Sequence, residues 1–564
     1  MTNSKIFKFL LIILIGGLIG PVSAQNILQQ GHVSGNFQLD VQSYQPDTVL
    51  GITKESIGGK KAAMNAFGNI NYTNGNFSAG IRYEAFLPPL EGYRPDQQGN
   101  GIAHRYLRYA DEKYDITVGH FYGQFGNGLI FRAYEEWNLG FDNALDGVKV
   151  GLRPVQGVQI TGVYGSQRRF WDKYNSETSG LVRGLDAEFS INELVKPLAD
   201  AKTRINIGGS FVSKFQEDDS SIPYVLPENV GAFAGRFNLT RGGFNLQSEY
   251  AYRMADPAAN KNQSYIYRPG QALVATATYS VKGLGAYVTA KRVDNMNFKT
   301  DRNAVFSDYD ISYLPTISKE HSYSLAALYP YATYKYGEMG IAASVFYKLP
   351  KKSLLGGKYG SLITLNYSRI NGIDKTMTEG AEYLNESGTY GYESEFFKVG
   401  DHKFYEDYTL EINRKFSRKF KMNAQITKLD YNKTLIEDEV EDGEEFYKAW
   451  IFIADMTYKI TPTNALRTEL QTLLTKEDRG NWAMALVEYS VAPKWSFSLI
   501  DQINLNQIEN KTIHYYMASM AYVQNTTRLE VKYGRTKDGL LCVGGVCRPV
   551  PASSGLTLTI TSSF

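Results

Sequence analysis

Beyond its first two dozen residues the chain has no apolar run approaching 18 residues, the minimum a membrane-crossing helix requires. Cysteine is nearly absent, with only Cys542 and Cys547 in 564 residues, so neither a disulfide-dense scaffold nor a thiolate metal cage is available. Histidine is scarce as well: His32, His104, His120, His321, His402 and His514 are scattered, and no two stand at metal-ligand spacing. Charge of one sign is missing, the formal net charge being +2, and without a long basic run there is no reason to expect a nucleic-acid partner. No Gly-x-Ser-x-Gly turn and no Ser, His and Asp arrangement stands out in sequence, so no catalytic residue, cofactor or metal is assigned and the chain reads as a non-enzyme, an outer-membrane enzyme being the lesser alternative.

What is abundant is aromatic side chain and glycine, 41 Tyr, 29 Phe and 52 Gly, at a mean hydropathy of -0.32. Strands that face water on one side and lipid on the other average out to this composition, with Tyr and Phe serving as interfacial girdles. Period-two alternation recurs along the chain. Phe77, Ala79, Ile81 and Tyr83 alternate with Ser78, Gly80, Arg82 and Glu84, and Leu529, Val531 and Tyr533 alternate with Arg528, Glu530 and Lys532. Charges on the polar face are cheap in a wet lumen and costly inside a sandwich. Short turns rich in Gly, Asn or Pro, among them Asn74 with Gly75, Arg241 to Gly243 and Lys282 with Gly283, separate longer polar connections at 88–101, 215–228, 255–270, 372–403 and 433–445. The pattern predicts an all-β fold, a large antiparallel transmembrane β-barrel of roughly 24 strands with short periplasmic turns and long extracellular loops.

Both chain ends agree. Lys5 and Lys8 precede an apolar run from Phe9 to Ile19, and Val22, Ser23 and Ala24 form a small-residue cleavage site, the layout of a secretory signal over residues 1–24. Residues 25–564 are then the barrel. The last ten, Gly555 to Phe564, place Leu556, Leu558, Ile560 and Phe564 on one side and Thr557, Thr559 and Thr561 on the other. This suits a terminal membrane strand, or alternatively a sandwich edge. The final Phe564 resembles the C-terminal signal read by the barrel-assembly machinery.

Two stretches resist the strand count, Gly123 to Asp146 and Asp294 to Tyr334. A lumen of roughly 24 strands is normally plugged, so these stretches are expected to fold inward, the alternative being structured surface loops. The first supplies the lumen candidates Arg132, Glu135, Glu136, Asp142 and Asp146. Opposed charges there either create a transverse field for solutes or pair with wall residues such as Arg82 or Arg105. Cys542 and Cys547 bracket a short loop and are expected to form a disulfide. The acidic run from Glu437 to Glu445 reads as a solvated loop tip, or as a collector of divalent cations.

The Gly123 stretch, with Ala327 to Thr333 (ALYPYAT), Leu349 to Ser361 (LPKKSLLGGKYGS) and Cys542 to Pro551 (CVGGVCRPVP), resembles an outer-membrane barrel family of unknown function found in Bacteroidota. The resemblance spans nearly all of the mature chain and implies location and architecture, but no activity. Two roles follow: a pore or transporter for an unidentified solute or lipid, or a non-transporting partner barrel of a larger outer-membrane assembly. The expected partners are outer-membrane lipid, the assembly machinery and other outer-membrane proteins. N-terminal sequencing of the exported protein is expected to start near Gln25; a membrane-resident chain that retains Met1 contradicts the signal reading.

Overall fold

The computed structural model of the protein describes residues 31–55, 59–171, 180–259, 265–304, 309–436, 446–506, 512–543 and 546–564. The expected signal segment 1–24 and the acidic run 437–445 lie outside these residues. Among the described residues, no helix is long and apolar enough to cross a membrane, which says nothing of strands.

Alternation becomes a wall of 24 antiparallel strands in one sheet. The first strand, His32–Ser43, pairs with Ala62–Asn74 on one side and with the last strand, Ser553–Ser563, on the other, and this last pairing closes the barrel. The backbone of Phe564 exchanges both hydrogen bonds with Gly35 at 3.0 Å, while its ring is 71% exposed and lies over Gly35. Exposed apolar side chains, among them Ile81, Leu107, Val118, Leu185, Phe233, Ile341, Leu365, Val487 and Leu499, cover the outer surface as a belt. Trp495 and Phe497 stack near the short-turn end at 5.9 Å between ring centres, with Tyr522 4.5 Å from Trp495. A continuous apolar outside with flanking aromatics is the surface that hydrocarbon and its interfaces select.

The inner face departs from the all-polar expectation. In Asn229–Arg241 the inward positions are Val230, Ala232 and Ala234 toward the long connections, then Arg236, Asn238 and Thr240 toward the short turns. Phe446–Lys459 repeats this with Tyr447, Ala449, Ile451 and Ile453 followed by Asp455, Thr457 and Lys459. The parity is kept but the polarity changes half-way, because apolar protein fills that half of the lumen. Two other differences concern connections. Residues 191–202 at the short-turn end contain a helical turn, Ile191–Leu194, and residues 350–360 form a longer loop there.

The filling comes from two inserts, 122–144 and 295–337, both entering from the long-connection end. Asp146 is not part of the first: it belongs to the wall strand Leu145–Leu152, paired opposite His120 and Ser166. The fully or nearly buried Phe125, Leu129, Ile130 and Phe131 of the first insert pack on Val182, Val212, Val230 and Val293 of one half of the wall, and on Phe298, Ile311 and Leu314 of the second insert. Leu325, Ala326, Tyr329 and Tyr331 of the second insert pack on the other half, against Tyr405, Tyr431, Ile451, Leu473 and Trp482. Backbone bonds join the inserts, Arg132 N–H to Ile311 O and Tyr313 N–H to Gly128 O, both 2.8 Å, so they form one composite plug.

Closure at the terminal strand makes its outward side chains a test of assembly. Leu558→Asp is expected to cost on the order of 2 kcal/mol in hydrocarbon and to reduce the heat-modifiable folded form. Thr559→Ala removes only the inward 2.8 Å hydrogen bond to Asp40 and is expected to cost about 1 kcal/mol. Equal yields of the two variants on a semi-native gel contradict the assignment of faces.

Candidate functional site: the plugged lumen

The first insert is locked by charge. The Arg82 guanidinium, buried on Phe77–Phe86, stands 2.7 Å from Glu84 and 2.5 Å from Asp142, and also pairs with Glu135. Arg168 meets Glu84 at 2.5 Å and pairs with Asp142. The Tyr122 hydroxyl lies 2.8 Å from Glu135 and 3.2 Å from Asp142, with its one proton shared between the two carboxylates. Two buried guanidiniums thus face two buried carboxylates, with the partly exposed Glu135 as a fifth member. Burial alone would push the Asp142 carboxyl up, but Arg168 and then Arg82 outweigh it and hold it below the usual carboxylate range.

The sequence-nominated residues divide accordingly. Glu135 and Asp142 belong to this cluster. Asp146 pairs with Arg105 at 3.1 Å and has His120 at 4.0 Å. Glu136 accepts from Asn138 N–H at 3.2 Å and caps the turn Trp137–Leu139, which Gly140 ends at a φ of 65° where a Cβ would stand 2.6 Å from the Tyr93 ring. Arg132 lies between two rings, 4.0 Å from Tyr134 and 3.9 Å from Tyr313, bridging the inserts. These charges are engaged in pinning and capping contacts. Glu84, Arg168 and Tyr122 were missed, because only inward parity and closure bring residues up to 84 positions apart together.

The other nominated residues also come to the plug. Cys542 and Cys547 form a disulfide within the hairpin of Gly539–Val543 and Val546–Val550. From this hairpin Arg548 stacks 4.4 Å over Tyr93 and donates to Asn138 O of the first insert at 2.9 Å. His104 and His120 approach to 5.1 Å between ring centres, yet among the described residues no group of three His, Cys, Asp or Glu side chains is arranged to hold a metal.

The second insert is held differently. Its stem is clamped by Lys291, whose Nζ meets Glu338 at 2.5 Å, Pro315 O at 2.8 Å and Thr333 at 2.8 Å. Its middle then crosses successive wall strands through polar side chains. Lys319 pairs with Glu411, His321 meets Asp407 at 2.9 Å, Tyr323 donates to Asp455 at 3.2 Å, and Leu325 N–H donates to Gln471 at 2.9 Å. Beneath the first insert a cavity of about 670 Å³ opens, lined by Glu188, Asn206, Arg236, Asn238, Gln247 and Glu249. Its roof is the turn at Gly126 and Asn127, whose N–H donates 2.6 Å to Glu249.

Removing either buried guanidinium leaves unpaired carboxylates, so Arg82→Met or Arg168→Met is expected to destabilise by about 3–5 kcal/mol. Arg132→Ala gives up two cation–π contacts at about 0.5–2 kcal/mol each. Thermal unfolding of the purified barrel checks the order, which is reversed if the cluster is not the pin. Because the Asp142 carboxyl is held low, its contribution is complete above the ordinary value of about 4 and is lost as pH falls through the lowered one. The gap in unfolding temperature between wild type and Asp142→Asn is expected to stay constant from neutral to mildly acidic pH and to close only in strong acid.

In fold, the chain is similar to the P pilus usher PapC translocation pore, with 9% identity over 94% of this chain and 98% of that one at a TM-score of 0.40. It is similar to a chain of the E. coli P pilus tip assembly intermediate PapC-PapD-PapK-PapG, with 10% identity over 94% and 60% at 0.48. A third similar structure is the siderophore receptor PirA of Pseudomonas aeruginosa, with 8% identity over 94% and 80% at 0.41. No curated protein matches the chain in sequence. A family model described as Family of unknown function (DUF6029) matches residues 1–564.

Proposed function

The chain belongs to that family of unknown function over its whole length and inherits no activity from it, so we propose a role from its geometry: an outer-membrane barrel whose lumen is a gated solute passage, closed at rest by its own second insert. In this reading residues 1–24 direct export, the assembly machinery reads the strand ending at Phe564, and the apolar belt contacts outer-membrane lipid. The short turns face the periplasm and the long connections the outside.

The observation that carries the proposal is the contrast between the two inserts. The first is welded to the wall by buried aromatic and aliphatic side chains and by the Arg82 and Arg168 cluster, and water cannot replace those contacts cheaply. In the second insert the stretch 319–323 is tethered by Lys319 and Tyr323 through partly exposed polar contacts that exchange with water at small net cost, and by the buried pair of His321 with Asp407, while its fully buried apolar packing begins at Leu325. Its displacement would join the long-connection end to the polar half of the lumen at Asp455 and Thr457. The dry seam of the first insert favours a second reading, a non-transporting partner barrel.

One experiment separates them. The triple variant Lys319→Gln, His321→Gln, Tyr323→Phe keeps shape while weakening the tethers. Its single-channel conductance in planar bilayers and the sensitivity of cells to bulky antibiotics are expected to rise severalfold, with the heat-modifiable barrel retained. Wild-type conductance and permeability in a folded variant reject the gated passage and leave the partner-barrel reading.

A further inference from the structure

One arc of the short-turn rim gathers cations with no carboxylate among them in sequence. The loop 350–360 carries Lys351, Lys352 and Lys358, and residues 349–361 contain no Asp or Glu. The neighbouring turn and its strand ends carry Arg414, Lys415, Arg418, Lys419 and Lys421, and residues 412–424 likewise contain no Asp or Glu. The two stretches touch. Ser361 pairs in register with Arg414, the Lys415 ammonium lies 5.3 Å from the Tyr359 ring, and a Cβ at Gly357 would stand 2.7 Å from the Arg414 guanidinium. Among the described residues none of these eight cations makes an ion pair, whereas within the lumen Lys319, Arg467 and Arg82 are all matched with carboxylates.

The same arc holds apolar side chains that no protein group covers. Leu354 is 96% exposed and Leu355 is 64% exposed, between Lys352 and Lys358 in sequence. Beside them, Phe416 packs 5.4 Å from Phe420 between ring centres, and Tyr347 and Tyr458 are exposed at the same ends of their strands. Exposed leucines flanked by lysines at the level of an aromatic girdle form an interfacial motif: aliphatic groups enter the headgroup boundary while ammonium groups meet phosphate.

We propose that this arc binds the headgroups of anionic phospholipid in the periplasmic leaflet, with Leu354 and Leu355 inserted at the headgroup–acyl boundary. The inference rests on the membrane reading above, which fixes which leaflet the short turns meet. An acidic periplasmic protein would match the charge, but it gives no reason for the two leucines to project beside an aromatic girdle.

The test uses the full-length barrel reconstituted in vesicles of phosphatidylcholine with or without phosphatidylglycerol, then extracted gently for native mass spectrometry. Wild type is expected to retain phosphatidylglycerol in excess of its share of the vesicle. The variant Lys351→Gln, Lys352→Gln, Lys358→Gln is expected to lose that excess by about tenfold or more, and Leu354→Ser, Leu355→Ser to lose it in part, all three proteins remaining heat-modifiable. A barrel that enters neutral vesicles but shows no enrichment, or whose enrichment survives the glutamine changes, overturns the inference alone. Capture of an acidic periplasmic protein by wild type and not by the glutamine variant, without lipid enrichment, also overturns it. A chain that enters neither kind of vesicle refutes the membrane reading itself.

Discussion

A closed ladder of antiparallel strands leaves no unpaired backbone edge within hydrocarbon, but at 24 strands its circumference encloses more space than wall side chains can fill. That geometric excess governs the interior. The inserts 122–144 and 295–337 occupy the space, and the wall answers by turning apolar on its inner face where they sit, as Val230, Ala232 and Ala234 do before giving way to Arg236. The half of the lumen without filling stays polar because water reaches it.

Filling a lumen from a surface connection brings charge indoors, and the two inserts deal with that differently. Arg82, Glu84, Asp142 and Arg168 are buried as a balanced set, so each guanidinium compensates the desolvation of its neighbours' carboxylates, and removing any one exposes the rest to the full cost. Such a set holds one arrangement. Lys319 and His321 instead reach one wall strand, Val399–Lys415, and Tyr323 another, Phe446–Lys459, as separate contacts rather than one interlocked set, and the proposed gate rests on that separateness. The disulfide hairpin adds a third restraint on the first insert through Arg548, at the long-connection end.

Carboxylates match many of the lumen's cations, Arg82, Arg168, Lys291 and Arg467 among them, whereas the arc at the short-turn rim carries none. On the proposed reading phosphate meets the eight cations of the arc that holds Leu354 and Leu355, none of which makes an ion pair among the described residues. An asymmetric rim of this kind would orient the barrel about its own axis within the leaflet without adding anything to the stability of the wall.

How much of this could be read from residues alone follows from the range of each interaction. Alternation is local, so the strand faces, the near-even spacing of turns, the count of about 24 and the outward row of Leu556, Leu558 and Ile560 are all visible in Gly555 to Phe564 and its counterparts. The two misfit stretches are visible too, as violations of parity. What each charge does is not: Glu135 and Asp142 find Arg82 only when the wall closes, Asp146 turns out to be wall rather than insert, and Arg168 and Glu84 meet across 84 residues. The chain by itself determined the membrane-suited barrel, because a two-residue period and turn chemistry act between neighbours. Only the tertiary structure decided that the lumen is filled, by which segments, and with every nominated charge already engaged, because those facts depend on which side chains face one another across a closed ring.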